Sequence, residues 1–143
     1  VFVRLVTQAD APSPFLREWN ARRGLGQDVP LCVAGTPGIR FVGPQPRPDD
    51  VIISKSRYSA FAGGDLAPRL RQKGIDTLVL AGVTTECCID SSARDAFEHD
   101  FHVVIARDAV AAYEPGLHRA ALQALEITLA TAADTATIAA AWK

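Results

Sequence analysis

A chain of 143 residues and 15.3 kDa fits one domain of ordinary size and leaves no room for two. Hydrophobic residues at 48% and charged residues at 22% are the balance of a globular protein, neither disordered nor fibrous. A net charge of −1, a pI near 6.3 and scattered basic residues argue against nucleic acid or anionic membrane as a partner, and no apolar run reaches bilayer-spanning length.

Taken in chain order, Val1–Leu5 is an apolar strand candidate in which the sequence opens directly. With no methionine anywhere, this predicts a chain whose beginning is absent. Asp10 to Pro14 and Ala34 to Pro48 are Pro/Gly-rich and read as long surface loops. Val51–Ser54, Thr77–Ala81 and His102–Ala106 are short apolar, β-branched runs, and Ile127–Ala130 is a weaker fourth. Strands this apolar suit a parallel sheet covered on both faces. Between them lie helical patterns. Asp65 serves as N-cap for Leu66 and Leu70, with Gly74 as the stop. Ile89, Ala93, Ala96 and Phe97 make an apolar stripe at i, i+4, i+7 and i+8. Pro115 opens a helix continued by Leu117, Ala121 and Leu125, and a last helix follows Asp134. The alternation predicts a single domain over 1–143: an α/β fold, a three-layer α/β/α Rossmann-like sandwich with a mostly parallel sheet.

Three cysteines, two of them adjacent, cannot build a disulfide framework, and neither CxxC nor HExxH spacing occurs. A reducing cytoplasm is the natural setting, and no metal is expected. Ligands of such folds bind beyond the carboxyl ends of the strands, which is where Lys55, Cys88 and Asp108 fall. Cys88 lies in the first turn of the helix opening around Thr85-Glu86, where unpaired N–H groups and the helix dipole favour a thiolate. Its plain alternative is a small buried core residue. Cys87 competes for the role, although adjacent helical side chains diverge by about 100° and only one can face the crevice. Lys55 is either a solvated loop lysine or the cation that stabilises such a thiolate. Asp108 reads as a turn or helix cap. Tyr58 and Phe61 pack the loop after Lys55 or wall a small pocket.

Gly82-Val83-Thr84-Thr85-Glu86-Cys87-Cys88-Ile89, followed by Ser92-Ala93-Arg94-Asp95-Ala96-Phe97, resembles the signature of the isochorismatase-like cysteine hydrolases. Gly35-Thr36-Pro37-Gly38, Lys55 to Phe61 with Asp65-Leu66, and Val103-Val104-Ile105 with Asp108-Ala109 and Glu114 to His118 are similar to further blocks in the same order. The resemblance, from about residue 32 to about 131, implies an Asp–Lys–Cys triad in which Cys88 is the nucleophile and Lys55 the lysine. It also implies a cis Val83–Thr84 bond, with the N–H groups of Thr84 and Cys88 forming an oxyanion hole. The family aspartate precedes the strand resembled by Val1–Leu5 and is not in this sequence; neither Asp10 nor Asp108 matches it. Threonine is common in the family where this chain has Gly64.

The implied activity is hydrolysis of a C–N bond in a small amide, ureide or carbamoyl compound through a thioester, without an organic cofactor. Tyr58 and Phe61 are the expected substrate contacts. Isochorismatase activity ranks lower because the vinyl-ether-cleaving members lack the cysteine. Nicotinamidase activity ranks lower because Thr7-Gln8-Ala9-Asp10 offers no histidine for that group's metal site. The rival class is a non-catalytic binding or assembly module with an incomplete triad. Family members are often dimers or tetramers, which implies a homodimer or homotetramer here.

Overall fold

Among the described residues, every strand pairing in the computed structural model is parallel. The structure describes residues 1–8, 14, 18, 21, 22 and 31–142, so Asp10 and most of the first predicted loop lie outside the described residues. Backbone contacts divide the chain into two compact units, Val1–Ser56 and Arg57–Lys143.

The first unit is built on β1 (Phe2–Leu5) and β2 (Ile52–Lys55), paired from Phe2 with Ile52 to Leu5 with Lys55. The ladder is extended by Val6, whose N–H donates to the Lys55 carbonyl at 2.8 Å. Beyond it, Thr7 donates to the Cys32 carbonyl and accepts from the Ala34 N–H, both at 2.9 Å. The Pro/Gly-rich stretch is tied down at two points. Thr36 caps the short 3-10 turn Pro37–Ile39 through the Gly38 N–H at 3.3 Å. Phe41 meets Phe2 edge-to-face at 5.3 Å, with the Arg4 guanidinium 5.6 Å from the Phe41 ring.

The second unit runs α1 (Leu66–Gln72), β3 (Thr77–Val83), a wide turn (Thr85–Ile89), α2 (Asp90–Glu98), β4 (His102–Ala111), α3 (Pro115–Thr128), β5 (Ala130–Ala133) and α4 (Thr135–Ala141). Its sheet has the order β3-β4-β5. Gly74, at φ +68°, ends α1 in the left-handed conformation that glycine adopts without penalty. The core takes Leu66 and Leu70 from α1, Ala93 and Ala96 from α2, Val103 and Ile105 from β4, and Leu125 from α3. Alanines on the inner face of α2 allow close approach to the sheet, and Ile105 and Leu125 are wholly buried. An apolar hollow of about 550 Å³ lies between the sheet and α4, bounded by Ile75, Val79, Val104, Ile138 and Trp142.

Three local expectations are corrected. Ile127 and Thr128 complete α3, and the fifth strand begins only at Ala130. Phe97 and Leu117 are about half exposed, so the buried stripes are narrower than the apolar residues suggest. β4 runs on to Ala111, with Leu80 opposite Ile105 but Gly82 opposite Val110. That irregularity sets residues 106–109 against Ala81 alone, a bulge that frees Asp108 from the ladder with β3. No helix among the described residues is long and apolar enough to cross a membrane.

Candidate active site

The turn bearing Cys88 grows from the carboxyl end of β3. Gly82, at φ +124°, adopts a conformation that side chains disfavour, and the following Val83–Thr84 bond is cis, as the family resemblance implies. Thr84 is extended, and its carbonyl accepts the N–H groups of Cys87 at 3.2 Å and Ile89 at 3.1 Å. The second bond spans five residues, so Thr85–Ile89 is a π-helical turn and α2 proper begins at Asp90. Cys88 therefore sits in a widened turn ahead of the α-helix rather than in the helix's first turn. Cys87 and Cys88 are both half-buried, and neither forms a disulfide.

This turn is anchored from below. Thr85 is wholly buried, and its Oγ1 shares a hydrogen bond of 3.0 Å with Nδ1 of His118 in α3. Ile89 is buried at the other end of the turn. Between them one carboxylate oxygen of Glu86, Oε2, is buried without a hydrogen-bond partner among the described residues. Neither His118 nor Glu86 was identifiable by spacing. Thr85 and His118 stand 33 positions apart, and Glu86 resembles any acidic residue of a first turn.

The segment after Lys55 is also held by buried hydroxyls. The Ala60 N–H donates to Ser92 Oγ on α2, and the Phe61 N–H to Ser59 Oγ, both at 3.0 Å. Phe61 is buried, with its ring 5.4 Å from His99 and 6.1 Å from Phe101, while Tyr58 is exposed. A Cβ at Gly64 would meet nothing within 4 Å, so the departure from the common threonine reflects no lack of room. Lys55 belongs to the first unit, where it closes β2 and is buried; Thr84, Cys88, Tyr58 and Phe61 belong to the second.

Asp108 is a cap, as its sequence position suggests, but of a distant helix. Its carboxylate accepts the Thr135 N–H at 2.8 Å and the Thr135 hydroxyl at 2.7 Å, at the start of α4. These bonds, the hydroxyl's foremost, hold the Asp108 carboxyl below the usual carboxylate range. Asp134, the residue preceding α4, makes no side-chain cap of its own.

The sequence profile described as Isochorismatase domain matches residues 1–137. Among curated proteins, the ureidoacrylate amidohydrolase RutB of Methylobacterium radiotolerans is 37% identical over 92 residues, 64% of this chain and 36% of that protein. The maleamate amidohydrolase of Pseudomonas putida is 42% identical over 77 residues, 54% of this chain and 36% of that protein. These matches thus span a little over a third of each relative's length. The crystal structure of an isochorismatase-like hydrolase from Alkaliphilus metalliredigens superposes with a TM-score of 0.84 at 28% identity, covering 99% of this chain and 71% of that one. A profile match that runs nearly end to end makes this chain a member of the isochorismatase domain family.

Proposed function

We propose that this protein is a cysteine-dependent amidohydrolase acting on a small amide, ureide or carbamoyl compound. The observation that carries the reading is Cys88, placed in the turn between the carboxyl end of β3 and α2 in a chain whose relatives include amidohydrolases of ureidoacrylate and maleamate. The Cys88 thiolate attacks the substrate carbonyl, and the Thr84 and Cys88 N–H groups receive the developing oxyanion. Collapse of the tetrahedral intermediate expels ammonia or an amine and leaves a thioester, which water then cleaves. Lys55 supplies the cation that favours the thiolate, and a carboxylate at the family's aspartate position carries protons. Tyr58 and Phe61 belong to the segment that lines the substrate. The reading extends to a reducing cytoplasmic setting and to a homodimer or homotetramer.

The test is ammonia release from ureidoacrylate and maleamate. Cys88→Ala should abolish it, and Lys55→Met should lower kcat/KM about 10²-fold. Full turnover by Cys88→Ala would overturn the reading.

A further inference from the structure

We propose that His118 is a positioning residue for Cys88 and acts through the Thr85 hydroxyl. The inference rests on the proposed role of Cys88 as nucleophile.

The argument starts from how the Cys88 turn is built. An α-helical turn is closed by successive i→i−4 bonds, whereas this one is closed by i→i−5 bonds, from the Ile89 N–H to the Thr84 carbonyl and from the Asp90 N–H to the Thr85 carbonyl. A widened turn of this kind has slack in its rotation about the helix axis, and that rotation decides where Cys88 Sγ points. Thr85 opens the turn, three residues before Cys88. Its hydroxyl has no access to solvent, and a buried hydroxyl left without a partner is strongly destabilising. The bond to His118 Nδ1 at 3.0 Å meets that demand.

His118 is well placed to act as a fixed point. It stands in the first turn of α3, behind Pro115, and its own N–H donates to the Glu114 carbonyl at 3.0 Å. α3 also packs against the Cys88 turn and is pinned in the core by Leu125. The Thr85–His118 bond thus ties a loosely wound turn to a rigid helix and sets its rotation. Misplacing a reacting atom by about 1 Å can cost about 10²-fold in rate, so a bond that touches no substrate can still govern turnover.

The test uses His118→Leu, Thr85→Val, their double variant and His118→Asn, whose amide can occupy the place of Nδ1. Iodoacetamide labelling, mapped to individual cysteines by mass spectrometry, reads the aim and reactivity of Cys88 without any substrate. His118→Leu and Thr85→Val should each slow Cys88 labelling about tenfold, and the double variant no further, because both remove the same bond. His118→Asn should recover most of the native rate. Amide turnover should follow in kcat, with KM nearly unchanged. A lower melting temperature with undiminished Cys88 labelling would reduce the bond to packing and overturn the proposal, as would effects that multiply in the double variant. Slowed labelling in a protein that hydrolyses no amide would support the positioning role and remove the substrate reading instead. Labelling of Cys87 in preference to Cys88 would remove the nucleophile assignment and this inference with it.

Discussion

Two neighbouring thiols in one turn pose the choice on which the chemistry depends. Cys87 donates its N–H to Thr84 at the start of the turn, and Cys88 follows one position on, so their side chains leave the helix axis in different directions. In the native protein, iodoacetamide near neutral pH should therefore alkylate Cys88 fastest, with Cys32 and Cys87 slow, as measured by peptide mass spectrometry. Faster labelling of Cys87 would shift the assigned register by one residue. The turn that carries Cys88 could be placed from the sequence because its context is local: Gly82, the Thr84-Thr85 pair and the start of α2 lie close together. His118 could not, because a hydrogen bond between residues 33 positions apart leaves no periodic trace. Phe61 shows the same limit. Its aromatic side chain suited a core or a pocket wall equally, and only the packing on His99 and Phe101 shows what surrounds it.

At the scale of elements, the last strand and helix show where propensity misleads. Ile127 and Thr128 are β-branched yet helical, while Ala130–Ala133, rich in a strong helix former, is a strand paired with Val103–Ala106. Tertiary pairing with β4 overrides both preferences. α4 is equally dependent on its surroundings, because its start is held by Asp108 from the bulge of β4. Asp108→Ala should lower stability and weaken amide-exchange protection in Thr135–Ala141. The pH dependence has a definite sign. Because the folded-state carboxyl is held below its unfolded value, its contribution is present above the ordinary carboxylate range near pH 4 and is lost as pH falls through the lowered value. Urea midpoints followed from about pH 7 down to about pH 2.5 should fall less steeply for Asp108→Ala than for the native protein. Parallel curves would exclude the cap from any part in acid unfolding.

For the whole molecule, the α/β alternation and parallel pairing were legible because apolar strands separated by amphipathic helices admit few other arrangements. The order β3-β4-β5 within the second unit's sheet was not, since neighbours in a sheet are chosen by tertiary contact rather than by local pattern. Stability is just as unevenly written. Leu125 and Ile127 lie two positions apart on α3, but one is wholly buried and the other 75% exposed. Leu125→Ala should cost about 2–5 kcal/mol and Ile127→Ala no more than about 0.5 kcal/mol, seen as urea midpoints that shift at unchanged m-value. Similar losses at both sites would contradict the packing of α3.

The hollow beneath α4 carries a further consequence. Trp142 follows that helix directly, its N–H donating to the Ile138 carbonyl at 3.0 Å, and its side chain borders the apolar lining. The indole is 65% exposed, so only the part of its ring against that lining is shielded, and its accessibility to a collisional quencher such as iodide should rise as α4 leaves the sheet. Trp19 is the only other tryptophan in the sequence. With Trp19 replaced by phenylalanine, quenching of the single remaining indole would report the packing of α4 without an attached dye.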